Sequence, residues 1–205
     1  PQQLDFAEKI VHLLEEYQTS FIQAQTGLGK TYGYLLPALS MESESGILVS
    51  VPTKILQNQI MQEEGSRLKD TFHIDIHSLK GPQNYLKLDN FYKVLHRPES
   101  NRLFTRFKMQ VLIWLTETET GDLDEIGQLY RYQHFIPEFV HDGKLSKKSL
   151  FISEDFWKRS QDRAKSSRLL LTNHAYLVTR LEDDPEFVNK RLVIIDEAQK
   201  MLIAL

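Results

Sequence analysis

No cysteine occurs anywhere in the 205 residues. Disulfides, thiolate zinc sites and iron–sulfur clusters are therefore excluded within this chain. Long apolar runs are missing too. No stretch reaches the roughly 20 consecutive apolar residues of a membrane span, although 41% of the residues are hydrophobic, enough for a sizeable core. The opening Pro1-Gln2-Gln3-Leu4-Asp5 lacks the basic and apolar segments of a secretion signal. A cytoplasmic protein with no membrane partner is expected. The net charge of −3 gives no global pull toward nucleic acid, so any such surface must be local. No internal repeat or low-complexity tract is present.

Glycine is sparse, and two of the nine fall in one short run, Ala24-Gln25-Thr26-Gly27-Leu28-Gly29-Lys30-Thr31. This is the pattern of a phosphate-binding loop, G-x-x-x-x-G-K-[ST], with Ala24 in the leading glycine position. Glycine lets such a loop curl so that backbone N–H groups converge on phosphate oxygens. Lys30 would reach the terminal phosphates and the Thr31 hydroxyl would ligate Mg²⁺. Near the far end, Val193-Ile194-Ile195-Asp196-Glu197-Ala198-Gln199 is an apolar strand closing on two carboxylates. Asp196 suits the metal's water shell, and Glu197 suits the activation of an attacking water. The two motifs together point to an NTP-hydrolysing motor core using Mg²⁺.

The rhythm around them is α/β. Thr19 to Gln23 is a half-apolar run of strand type, and Tyr32 to Leu39 has the spacing of a helix with Pro37 near its end. Leu4, Ala7, Ile10, Val11 and Leu14 lie at helical spacing. Gly46 to Val51 reads as a buried strand, followed by a helix from Lys54 to about Leu68. Thr71 to Leu79 alternates as a strand, with Phe72, Ile74 and Ile76 on one face. His73, Asp75 and His77 share the other face and read as a solvent-facing edge rather than a metal site. Leu169 to Thr172 and Leu192 to Ile195 are continuous apolar runs, typical of parallel strands covered on both faces. The expected architecture is a P-loop NTPase of RecA-like type: a central, mainly parallel sheet formed by residues 1–87 and 166–205.

Residues 88–165 break the rhythm and read as a mostly helical insertion. Arg102 to Glu117 has helical spacing, an acidic turn follows around Gly121, and then come Tyr130, Tyr132, Phe135 and Phe139. The acidic turn reads as surface. From Lys144 to Arg168 there are eight Lys or Arg against three acidic residues. With Phe151, Phe156 and Trp157, this basic run reads either as a stacking groove for single strands or as a solvated face.

Several segments carry a family resemblance. They are Pro1-Gln2-Gln3, the phosphate loop, and Ser50 to Gln59 with Thr53, Leu56 and Gln59. Leu79-Lys80-Gly81-Pro82-Gln83-Asn84-Tyr85-Leu86, Leu171-Thr172-Asn173-His174 and Asp196 to Gln199 complete the set, with Trp114 and Thr118 to Asp122 beside them. In these the chain resembles the first motor domain of the DinG/XPD branch of superfamily 2 DNA helicases. The resemblance implies ATP hydrolysis in cooperation with a second motor domain, and work on single-stranded or branched DNA in a setting such as DNA repair. It makes Gln3 an adenine reader; an exposed polar residue before a helix is the other reading. It gives Gln199 a role in coupling hydrolysis to motion, unless that side chain is simply solvated. Thr53, Lys54, Asn84, Tyr85, Asn173 and His174 become candidate DNA contacts, although helix capping equally suits Thr53 and Asn173. Lys87 and Asp155 stand where most of that family has cysteines of an iron–sulfur cluster. The chain therefore resembles the cluster-less DinG branch, which implies an exonuclease domain upstream. The alternatives are an ATP-gated module that clamps single strands without unwinding, and a P-loop enzyme acting on a small molecule.

Overall fold

The computed structural model describes residues 2–16, 19–25, 29–41 and 46–203. The helices are α1 (Gln2–Glu15), α2 (Lys30–Ser40), α3 (Lys54–Gln59), α4 (Ser66–Phe72), α5 (Leu88–His96), α6 (Arg102–Leu115), α7 (Phe156–Ser166) and α8 (His174–Asp183). The strands are β1 (Gly46–Val51), β2 (Ile76–Ser78), β3 (Leu169–Asn173) and β4 (Arg191–Ile195). Two compact units result, one of Pro1–Ile76 with Arg168–Leu205, the other of His77–Ser167.

The first unit is the α/β part. Its sheet has the order β2-β3-β1-β4, and β1 runs parallel to both neighbours, with Ile47 opposite Leu169 and Leu192. β1 and β3 are apolar at nearly every position because helices cover both faces; every residue of β3 is buried. On one face Tyr34, Leu35, Ala38 and Leu39 of α2 join Ile47, Val49, Val51, Leu169 and Leu171 in one core, with Ile10 of α1. Gly33 lets α1 and α2 approach closely, since a side chain there would collide with the Phe6 ring. β4 lies at the sheet edge, and Val193 and Ile195 stay partly exposed. The alternation of strands and helices expected from the sequence is present, around a parallel sheet of RecA-like type.

Two segments differ from expectation. Thr19 to Gln23 has no regular structure and joins none of the four strands, and Phe21 is 91% exposed. Apolar content suits a strand, but only a ladder of backbone bonds makes one. In the second segment α4 continues to Phe72, and His73 ends it in a left-handed conformation (φ 52°), leaving a strand only at Ile76–Ser78. Phe72, Ile74 and Ile76 nevertheless pack against the core. The buried face was legible, while the left-handed turn without glycine was not. Between α3 and α4 the helix widens to a π-type stretch at Ile60–Gly65.

The second unit contains residues 88–165 together with 77–87 and 166–167. Apart from His77 and Ser78 of β2, its regular elements are helices and short helical turns, with isolated bridges at Tyr85–Asp122 and Leu86–Val140. Of the aromatic patch, Tyr132, Phe135 and Phe139 join its core, while Tyr130 stays exposed. Phe104 stacks on Phe135 and Phe107 on Tyr132, each at 4.3 Å. Phe156 is buried and the Trp157 ring packs on His141 at 4.9 Å, so these two are not exposed stacking platforms. The acidic turn is not simply surface either: Asp122 and Asp124 clasp the buried ammonium of Lys80 at 2.5 and 2.9 Å. Gly121, at φ 68°, is required there, because a side chain would overlap the Phe156 ring.

Candidate nucleotide site

The site forms where the carboxyl ends of β1 and β4 meet the N-terminus of α2. Asp196 N donates to Ser50 O at 2.9 Å, carrying the β1–β4 ladder one step beyond β4. This fixes Asp196 at the strand end, where ligands bind in such sheets. Across from it, Tyr34 on α2 donates its hydroxyl to Asp196 Oδ2 at 3.2 Å. Thr31 lies one turn earlier on the same helix, on the Tyr34 side. Two motifs separated by most of the chain are thereby brought together.

Lys30 opens α2 and is half-buried, directly after Gly29, whose backbone is left-handed (φ 75°). Ala24 and Gln25 are described as irregular chain, whereas Thr26, Gly27 and Leu28 lie outside the described residues. Gln3 Nε2 donates to Gly29 O at 3.0 Å, so the candidate adenine reader is tied to the phosphate loop's backbone. Glu197 also has a left-handed backbone (φ 50°), which is uncommon outside glycine. Lys200, 2.5 Å away, holds the Glu197 carboxyl below the usual carboxylate range, and the charge of Lys30 adds to this. Gln199 is exposed in the turn Ala198–Ile203.

The donor set suits a magnesium ion. Thr31 offers a hydroxyl and Asp196 a carboxylate, and Mg²⁺ in phosphate sites takes one or two protein oxygens alongside water and phosphate. Glu64, from the π-type stretch, adds negative charge: its Oε2 is enclosed without a hydrogen-bond partner. Burial, then Glu63 and Asp196, push its carboxyl above the ordinary range. Among the described residues no group of three or more His, Cys, Asp or Glu gathers to hold a metal unaided.

The candidate DNA residues occupy several settings. Thr53 caps α3, accepting from Leu56 N at 3.2 Å, and Lys54 follows it, exposed. Asn173 caps α8 through Tyr176 N at 3.0 Å and donates Nδ2 to Gln57 Oε1 at 3.2 Å. His174 is fully buried with Nδ1 2.7 Å from Ser50 Oγ. In the second unit Asn84 is buried, bonding Gly81 O at 2.9 Å, and the Tyr85 hydroxyl sits 2.8 Å from Ser160 Oγ. His77 meets Ser160 at 2.8 Å rather than facing solvent alone.

Sequence reading missed Tyr34, Glu64, Gln57, Ser50 and Lys200 as parts of this arrangement. Tyr34 carried a signal, since it lies three residues after Thr31 and so on the same helix face. Gln57 and Ser50 gave none, because their partners come from β3 and α8, more than a hundred residues away.

Residues 5–120 match the DEAD/DEAH box helicase family. The chain is similar to proteins named 3'-5' exonuclease DinG: 33% identical to that of Bacillus subtilis (strain 168) over 96% of this chain. For those of Staphylococcus saprophyticus subsp. saprophyticus and Staphylococcus aureus (strain USA300) the identity is 31% over 98% of this chain. In each case the chain spans 22% of the relative's length.

Proposed function

The chain belongs to the DEAD/DEAH box helicase family, and on that premise we propose that it is the nucleotide-binding first motor domain of a DinG-type DNA helicase or nuclease-coupled translocase. The Tyr34–Asp196 contact carries this reading, because it seats the helix of the phosphate loop against the carboxylate strand. ATP and Mg²⁺ use goes with the family. Bound Mg²⁺ would supply charge neutralisation at the terminal phosphates. Lys30 meets those phosphates, Thr31 and Asp196 hold the metal's shell, and Glu197 orients and deprotonates the attacking water. Gln3 reads the adenine edge, and the exposed Gln199 couples the site to a second motor domain. Hydrolysis becomes fast only with that domain and DNA, since an arginine supplied in trans contributes roughly 10³–10⁵ in related NTPases.

Residues 88–165 are, in this reading, a mostly helical insertion in the motor fold. Single-stranded or branched DNA is contacted by Thr53 and Lys54, while Asn84, Tyr85, Asn173 and His174 hold the DNA-facing segments in shape. The exonuclease chemistry in the relatives' name belongs to other parts of the full-length protein, upstream of the motor. The chain covers 22% of those relatives' length, which leaves room for such parts. No helix among the described residues is long and apolar enough to cross a membrane, and the DNA substrate assigns the protein to the cytoplasm.

The test uses the full-length protein, measuring ATP turnover with and without single-stranded DNA together with strand displacement on a forked duplex. DNA-stimulated turnover with displaced strand is expected. Stimulation without displacement would mean an ATP-gated clamp instead. Turnover indifferent to DNA would overturn the motor reading in favour of a small-molecule enzyme.

A further inference from the structure

Tyr34 belongs to no part of the phosphate-loop pattern, yet it touches one group that a phosphate-bound metal needs and shares a helix face with another. It lies on α2 three residues after Thr31, so both side chains leave the same face of the helix. The residue is 5% exposed, and its ring packs in the core with Leu35, Ala38 and the strands β1 and β3. Only the hydroxyl reaches the site. There it meets Asp196 Oδ2 at 3.2 Å.

The hydrogen inventory sets the direction of this bond. A phenol has one proton to give and lone pairs to accept with; a carboxylate can only accept. The Tyr34 proton therefore goes to Asp196. Burial and the neighbouring Asp196 charge push the phenol's ionisation well upward, so it stays a donor throughout the physiological range. Asp196 is left with Oδ1 for a cation's water. The phenol thereby ties the carboxylate after β4 to the helix that carries Thr31, through a ring packed in the core.

We propose that Tyr34 is the positioning residue of the magnesium site, orienting Asp196 against the helix that carries Thr31 through the Tyr34–Asp196 hydrogen bond. The inference rests on the nucleotide-site reading above and adds a role in metal affinity that the motif residues do not contain. Partners of this kind that orient metal-binding groups typically change metal affinity by about 10–100-fold when removed.

The experiment uses full-length protein and Tyr34→Phe, which removes one oxygen and keeps the ring in the core. ATP binding is measured at equilibrium, first with a chelator and then across a MgCl₂ titration. Tyr34→Phe should bind metal-free ATP within about twofold of wild type, while the Mg²⁺ concentration at half-effect rises about 10–100-fold. A thermal unfolding curve taken without metal separates lost positioning from lost packing. If the two curves superimpose and the Mg²⁺ midpoint does not move, the positioning role is wrong. A midpoint that moves no more than metal-free ATP binding does would reduce Tyr34 to a packing residue and equally overturn the proposal. If wild-type binding itself ignores Mg²⁺, the nucleotide-site reading falls with it, which distinguishes the two failures. A double-mutant comparison with Asp196→Asn should show non-additive effects on the midpoint, and additivity would count against the Tyr34–Asp196 bond.

Discussion

The Ser50 hydroxyl lies 2.7 Å from Nδ1 of His174, both side chains fully buried, tying the end of β1 to the start of α8. The other ring nitrogen, Nε2, is enclosed without a hydrogen-bond partner, and the ring is influenced by the Asp196–Glu197 backbone. Burial drives the His174 pKa below its ordinary value although that backbone pulls it upward. A histidine depressed in the folded state contributes stability above its unfolded value of about 6.5, and that contribution is lost as pH falls below it. His174→Ala, which orphans Ser50, should destabilise the protein by about 1–3 kcal/mol. Denaturant unfolding at pH 7.5 and pH 5.5 checks both points, because the variant should lose stability less steeply on acidification.

Lys80 offers a second test, inside the second unit. Its ammonium is 1% exposed and meets Asp122 and Asp124. Lys80→Met would leave two partly buried carboxylates facing each other, at a cost of about 3–5 kcal/mol near neutral pH. Burial already raises the Asp122 pKa despite Lys80. Removing Lys80 raises it further, so the folded variant takes up a proton more readily than its unfolded chain. The deficit should therefore shrink as pH falls toward about 4, where unfolded carboxyls also protonate. Unfolding curves for wild type and variant at pH 7 and pH 4.5 measure this, and a deficit that does not change with pH would contradict it.

Where the resemblance expects cysteines, the second unit has polar ties. Lys87 Nζ bonds Asp142 at 2.5 Å, and Asp155 accepts from His141 Nε2 at 3.1 Å while capping α7 through Lys158 N at 2.8 Å. His141 Nδ1 accepts from Gly143 N at 2.9 Å, so the proton sits on Nε2, facing Asp155. Burial works against ionisation of Asp155, but these bonds bring its pKa below the ordinary value. Its stability contribution is present above about pH 4 and fades below it. Asp155→Ala should cost about 1–3 kcal/mol at pH 7 through the lost cap and the orphaned histidine. These residues should hold no iron–sulfur cluster, so the visible absorption of such a cluster should not arise from them.

How far the sequence foretold the molecule depends on how local each signal was. Lys30, Thr31, Asp196 and Glu197 sit in short motifs whose residue types state their chemistry, and β1, β3 and β4 follow continuous apolar runs. Helix α6 was legible from its apolar period, and its Asn101 cap was an available signal. The left-handed His73 and the unpaired Thr19 to Gln23 were not, because each depends on what the backbone meets in space. Lys80 stood in a resemblance segment with no sign that its ammonium is buried, since its partners lie 42 and 44 residues later. The same limit hid Tyr34: an aromatic on a helix reads as core, and the partner that makes its hydroxyl informative is 162 residues away.

The central claim, an ATP-driven half-motor with Lys30 at the phosphates and Glu197 as base, meets its most direct test in one comparison. Equilibrium ATP binding and DNA-stimulated turnover should be measured for full-length wild type, Lys30→Ala and Glu197→Gln. Lys30→Ala deletes the charge that faces the phosphates and should weaken binding as well as abolish turnover. Glu197→Gln should keep MgATP bound and lose hydrolysis by about 10²–10⁴-fold, the usual worth of a general base, because the amide cannot take the water's proton. Turnover near the wild-type rate in either variant would contradict the roles assigned to these two residues.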